Sequence, residues 1–174
     1  MFLIDDSTSM RAHWEDVKLV LEALSYIVKD CDPDGTELYF TTSKDHKRDR
    51  HTSGLLYMLN GRMPNGITDI DHRLNEILEK YKSKLDTKPS LISSVISKAK
   101  NEPIGPRPLN IYVLTDGMWE SESTGETTII NFVQKLVKLG KPKSQVGIQF
   151  ISFGNNPKGL QKMEFLDSKL KQRL

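Results

Sequence analysis

Short apolar runs alternate along this chain with segments in which apolar residues recur every three or four positions. Runs bounded by turn residues predict buried strands, and the longer spacing predicts amphipathic helices. The predicted strands occupy residues 2–4, 38–42, 111–114 and 146–153. The predicted helices occupy residues 17–28, 54–60, 70–85, 90–100, 129–137 and 163–174. This alternation predicts an α/β fold with a doubly wound, mostly parallel central sheet and helices on both of its faces.

The connections contain the usual helix and strand breakers. The D-P-D-G sequence at 32–35 predicts a turn, Gly140 predicts a helix stop, and the proline-rich segment 103–108 predicts a stiff connection. No linker divides the chain, so residues 1–174 are expected to form a single domain. The first strand begins at Phe2 and the last helix has no stop signal, so we expect the domain to be excerpted from a longer polypeptide.

Oxygen-bearing side chains follow two of the predicted strands. Asp5, Ser7 and Ser9 come directly after the first strand, Asp116 follows the strand at 111–114, and Thr68 follows a glycine loop. In an open parallel sheet, ligands bind outside the carboxyl ends of the strands, so these three loops can meet. Hard oxygen donors suit Mg²⁺ or Mn²⁺ better than Zn²⁺ or Cu²⁺. We therefore expect a metal site at a loop rim, outside the apolar core.

In order and spacing, these five residues resemble the metal-ion-dependent adhesion site of the von Willebrand factor A (vWA) family, whose pattern is D-x-S-x-S, then a distant T and a distant D. The resemblance covers nearly the whole chain and implies a Rossmann-like vWA fold. It also implies a non-enzymatic module in which bound Mg²⁺ or Mn²⁺ coordinates a Glu or Asp carboxylate of a protein partner. By the same resemblance, Ser7, Ser9 and Thr68 bind the ion directly, and the two aspartates act through water or orient the hydroxyls.

An alternative function is a metal-dependent hydrolase or phosphatase that uses the same cluster. Phosphatases with an aspartyl nucleophile carry a second Asp two residues later, where this chain has Ser7. The chain also contains neither a G-x-x-x-x-G-K-[ST] phosphate loop nor a G-x-S-x-G elbow. In a third hypothesis the domain is only a scaffold, but all five positions carry competent oxygen atoms.

Four neighbouring residues have both a functional and a structural interpretation. Trp119 is a candidate partner contact because it follows the Asp116 loop, and packing over the next helix explains it equally well. Met10 is a tentative partner contact that could instead fill space near the loop. Asp6 is expected to face solvent or bond within its loop, and Asp69 to cap the helix that follows it.

Composition excludes several classes of protein. The formal net charge is +2, and the basic cluster at 44–51 is interleaved with aspartates, so we predict a solvated loop there and no nucleic-acid binding. No apolar run approaches the ~18 residues that a membrane span needs. Cys31 is the only cysteine, which excludes an internal disulfide and favours a reducing, intracellular setting. The four scattered histidines do not suggest zinc, and the sequence indicates no oligomeric state.

Overall fold

The computed structural model describes residues 1–32, 34–86, 106–120 and 124–170. Within these ranges one five-stranded sheet comprises β1 (Phe2–Ile4), β2 (Thr36–Phe40), β3 (His46–Asp49), β4 (Leu109–Thr115) and β5 (Val146–Ser152). The α-helices in them are α1 (Trp14–Val28), α2 (Thr52–Asn60), α3 (Ile70–Asp86), α4 (Glu126–Lys138) and α5 (Pro157–Glu164). Shorter helical segments lie at Thr8–His13, Lys29–Cys31, Lys143–Gln145 and Phe165–Lys169. The predicted helix at 90–100, residues 103–105 of the proline-rich connection and residues 171–174 lie outside the described residues.

The strands follow the order β3-β2-β1-β4-β5 across the sheet. β1 pairs in parallel with both β2 and β4, and β4 pairs in parallel with β5. The predicted α/β class and mostly parallel sheet are therefore confirmed. The strand order reverses at β1, so the crevice expected in such sheets lies where β1 and β4 end.

Alternate residues of β1 belong to two separate hydrophobic clusters, as the two-residue period of a strand requires. Leu3 belongs to one cluster together with buried residues of α3 and α4. Phe2 and Ile4 belong to the other, together with buried residues of α1 and α2. Burial on both sides of so short a strand fixes its end, and therefore the start of the loop that follows it.

The solvated loop predicted over 44–51 is wrong in part, because β3 lies within it and pairs antiparallel to β2. An edge strand exposes one side to solvent, so charged side chains are compatible with this position. Arg48 lies opposite Glu37 and forms a salt bridge with it. Arg48 and Asp49, which belong to the cluster predicted as a loop, are thus part of a charged edge strand.

Four helices, α1, α2, α4 and α5, begin two to six residues earlier than predicted. α1 starts at Trp14 after a 3₁₀ segment, and α5 starts at Pro157, where the Asn156 side chain accepts a hydrogen bond of 3.0 Å from the Lys158 N–H. Asp69 accepts a bond of 3.0 Å from the His72 N–H at the start of α3, which confirms the predicted cap. Among the helices of the described ranges, none is both long and apolar enough to cross a lipid bilayer.

Candidate functional site

The candidate residues lie at the edge of the sheet where β1 and β4 end side by side. The Asp5 N–H donates to the Leu114 carbonyl at 2.9 Å, which holds the first loop against the end of β4. Asp5, Thr68 and Thr115 are fully buried, and Asp6, Ser7 and Asp116 are nearly so. Ser9 is exposed. The candidate residues therefore lie beside the sheet edge and outside both hydrophobic clusters, and all of them except Ser9 are shielded from solvent.

Asp5 is the centre of the hydrogen-bond network. Its Oδ1 accepts from the Ser7 N–H at 3.1 Å and from the Thr68 hydroxyl, and its Oδ2 accepts from the Thr115 hydroxyl at 2.6 Å. Burial raises the pKa of Asp5, and the hydrogen bonds from these three residues oppose that rise. Within the described ranges no Lys, Arg or His forms an ion pair with Asp5. The network therefore holds a buried carboxylate that lacks a cationic partner among these residues.

The hydroxyl groups of Ser7, Ser9 and Thr68 belong to the same network, directly or through a neighbouring hydroxyl. The Ser7 and Ser9 Oγ atoms are 3.2 Å apart, and the Thr68 Oγ1 is 3.2 Å from the Thr41 Oγ1. The structure thus brings Asp5, Ser7, Ser9 and Thr68 into one hydrogen-bonded group, although Thr68 is 63 positions from Asp5 in the chain.

Asp116 reaches the same edge through its neighbour. Thr115 is the last residue of β4 and contacts Asp5 directly, while the Asp116 Oδ1 accepts a hydrogen bond of 2.9 Å from the Met118 N–H. That bond fixes the tight turn in which Asp116 lies. Asp116 therefore sits at the same sheet edge as the other four residues, with its carboxylate oriented by its own turn.

The donors at this edge match the preferences of a hard divalent cation. Within the described residues no three His, Cys, Asp or Glu side chains form a group that could hold a metal. The candidate set here differs in kind, since it combines two carboxylates with three neutral hydroxyls. Oxygen ligands of this kind, without nitrogen or sulfur donors, suit Mg²⁺ or Mn²⁺ better than Zn²⁺ or Cu²⁺.

Thr115 and Thr41 are members of the network that sequence reasoning missed. The Thr115 Oγ1 donates to Asp5 and accepts from the Gly117 N–H at 3.0 Å and from the Trp119 Nε1–H at 2.8 Å. Thr41 lies just after β2, the neighbour of β1, and Thr115 is the last residue of β4. Their positions at the ends of strands next to β1 are the only feature of the sequence that could have identified them.

Asp6 neither faces solvent nor bonds within its own loop, because its buried side chain joins two other loops. Its Oδ1 accepts from the Thr42 N–H at 2.8 Å, and its Oδ2 lies 2.8 Å from an Arg62 nitrogen. The same guanidinium pairs with Asp45 at 2.6 Å and lies over the Phe40 ring at 3.8 Å. Asp6 therefore already has a cationic partner, in contrast to Asp5.

The two tentative partner contacts, Trp119 and Met10, are both buried. Met10 is fully buried in the cluster that contains α1. Trp119 is 7% exposed, its ring lies 6.0 Å from that of Phe150, and Lys162 lies 5.2 Å above it. In this conformation neither side chain offers a partner surface, and the packing alternative accounts for both.

Comparison with known protein families and with curated proteins finds no match to this chain. The likeness to the vWA family therefore rests on the five motif residues and their spacing.

We expect Thr115→Val to destabilise the domain by about 2 kcal/mol, because it leaves the Gly117 N–H and the Trp119 indole N–H without their buried acceptor. Urea unfolding followed by circular dichroism measures this loss. Thr36→Val, at a buried threonine on β2 outside the site, is the matched control. Equal unfolding midpoints for the two variants would contradict a structural role for the Thr115 hydroxyl.

Proposed function

We propose that this chain is a metal-dependent protein-binding module of the vWA type, in which Mg²⁺ or Mn²⁺ binds an acidic residue of a partner. The residues that would hold the ion are Asp5, Ser7, Ser9, Thr68 and Asp116. The observation that carries the proposal is the convergence of the first four in one hydrogen-bonded group at the end of β1. Thr68 joins the other three from a separate loop, and the four together supply the oxygen donors that a hard divalent cation prefers.

We also propose two details of the fold beyond its α/β class. We propose that the sheet is doubly wound, with α1 and α2 on one face and α3 and α4 on the other. The two separate hydrophobic clusters support this arrangement, because each contains one set of alternate β1 side chains. We further propose that the described elements belong to a single domain, since one sheet joins all five strands.

The side chains of the site would have different roles, some supplying negative charge and others neutral oxygen donors. Asp5 supplies negative charge and orients the Thr68 hydroxyl and the Ser7 backbone through its hydrogen bonds. Ser7, Ser9 and Thr68 supply neutral oxygen donors, and Asp116 a second carboxylate held by the Met118 N–H. A cation bound mainly by neutral hydroxyls keeps positive charge, and a carboxylate from a partner is the hard anionic donor that would complete its coordination.

The central test is isothermal titration calorimetry with Mg²⁺ and Mn²⁺. We expect the domain to bind one ion, Thr68→Ala to weaken binding at least roughly tenfold through loss of one ligand, and Thr127→Ala to leave it unchanged. Thr127 is an exposed threonine on α4 and changes composition in the same way as Thr68→Ala. Because Thr68→Ala keeps the formal charge, a loss of affinity could not arise from general electrostatics.

Absence of heat with either ion at millimolar concentration, in protein that circular dichroism finds folded, would refute the proposal. A partner bound through the ion should also leave in EDTA, return with Mg²⁺, and bind Thr68→Ala poorly. Hydrolysis of a generic phosphate ester on adding Mg²⁺ would instead favour the hydrolase alternative.

A further inference from the structure

The loop between α2 and α3 exposes two large apolar side chains next to the candidate site. Met63 is 83% exposed and Ile67 is 69% exposed. Ile67 directly precedes Thr68, so their Cα atoms lie about 3.8 Å apart across one peptide bond. Single exposed apolar residues are common on protein surfaces. The anchoring of this loop distinguishes these two.

The residues on either side of Met63 are held by the loop that follows β1 and by the helical segment Thr8–His13 after it. Arg62 pairs with Asp6 at 2.8 Å, and the Pro64 carbonyl accepts a hydrogen bond of 2.7 Å from the Arg11 Nε–H. Asn65 adds a backbone bond of 2.7 Å from its N–H to the Asp6 carbonyl. The backbone at Met63 is therefore fixed relative to the site, while the side chain extends into solvent.

Ile67 is anchored in the same way. The Gly66 carbonyl accepts from the Thr8 N–H at 3.0 Å, and the Gly66 N–H donates to the Thr8 hydroxyl at 3.1 Å. On the other side, the Thr68 hydroxyl donates to Asp5 and the Thr68 carbonyl accepts from the Glu120 N–H at 3.0 Å. The Ile67 side chain consequently projects from a backbone that is tied to the candidate ligands on both sides.

We propose that Met63 and Ile67 form an apolar contact surface for the partner, so that the preferred ligand is a carboxylate side chain flanked by large apolar residues. This assignment rests on the proposed function, because the carboxylate is taken to bind at the candidate metal site. Contact surfaces held in place before binding lose little conformational freedom when a partner docks. Burial of one leucine-sized side chain against them is worth roughly tenfold in affinity.

Two fluorescein-labelled pentapeptides test this specificity, one with leucine on both sides of a central glutamate and one with serine at those positions. In Mg²⁺, fluorescence anisotropy should give the leucine peptide roughly tenfold higher affinity for the wild-type domain. Ile67→Ser and Met63→Ser should each reduce this preference and leave the serine peptide's affinity unchanged. Ile27→Ser is the matched control, because Ile27 on α1 is also 69% exposed and should affect neither peptide.

A Mn²⁺ titration of each protein separates failure of this surface from failure of the site. If the wild type binds no Mn²⁺, the proposed function fails and this inference falls with it. If Mn²⁺ binds but the two peptides bind equally, the apolar surface alone is overturned. If Mn²⁺ binds and neither peptide does, the proposed binding of a carboxylate fails as well. The apolar surface is likewise overturned if the leucine peptide binds equally in EDTA, if Ile27→Ser reduces its affinity as much, or if both loop variants lose Mn²⁺ affinity.

Discussion

The Asp5→Asn domain should melt in EDTA at or above the wild-type temperature and should lose the rise in melting temperature that Mg²⁺ gives the wild type. Saturation at about 100 times Kd stabilises a folded protein by about 2.7 kcal/mol, which raises the melting temperature of a domain of this size by roughly 5–10 °C. Differential scanning calorimetry in EDTA and in Mg²⁺ measures both effects.

The reason is the unusual setting of Asp5, a buried carboxylate without an ion pair among the described residues. Burial raises its pKa in the folded state, so its ionised form costs stability at neutral pH. The raised pKa favours the folded state when Asp5 is protonated. This stabilisation is fully present below the pKa of Asp5 in the unfolded chain and is lost as the pH rises through its pKa in the folded protein. Asparagine keeps the shape and one acceptor oxygen but removes the charge that a bound cation would neutralise.

Asp6→Asn is the matched control, because the neighbouring carboxylate is also buried but has a partner in Arg62. Removing that charge leaves the guanidinium without one of its anions, so we expect a lower melting temperature in EDTA and an intact response to Mg²⁺. The two variants should therefore show opposite patterns. A Mg²⁺ response retained by Asp5→Asn, or lost by Asp6→Asn, would contradict the proposed division of roles.

The sequence placed the end of β1 correctly, and it predicted Asp5 and Asp116 at one sheet edge because parallel strands place their carboxyl ends together. The sequence predicted the meeting of Thr68 with Asp5 through the motif alone, because Thr68 lies in a loop between two helices. It did not predict that Thr41 and Thr115 complete the network. Those contacts depend on the register of β1 against its two neighbours, which local patterns do not encode. Nor did it predict the Arg62–Asp6 pair, which joins residues 56 positions apart.

β3 was missed for a related reason. Its charged residues resemble a loop when they are considered locally, and only pairing with β2 makes them a strand. Burial of Met10 and Trp119 also depends on tertiary packing, so an aromatic or a methionine beside a motif could not be assigned to a partner or to the core from sequence alone. Apolar residues that recur every two positions identify strands, and those that recur every three or four identify helices. The residues that contact the ends of these elements are determined only by the assembled fold.

We expect Gly159→Ala to damage the site without removing any donor. Gly159 lies in α5, and a Cβ there would stand 1.9 Å from the Asp116 carbonyl oxygen. Gly117, with φ of +75°, closes the same contact, since its own Cβ would lie 2.8 Å from the Gly159 Cα. These clashes involve backbone atoms that no rotamer change can move, so α5 and the Asp116 loop would have to separate.

The expected cost is about 3 kcal/mol in the free energy of unfolding, together with roughly tenfold weaker Mg²⁺ binding as Asp116 shifts. Urea unfolding and calorimetric titration measure the two quantities. Gly61→Ala is the control, because Gly61 has φ of −79° and the nearest atom to its added Cβ is 3.9 Å away. If Gly159→Ala matches Gly61→Ala in stability and Mg²⁺ affinity, the close packing of α5 does not position the Asp116 loop. A loss of stability with unchanged affinity would place Asp116 outside the metal site, since the residue nearest the clash would then not bear on binding.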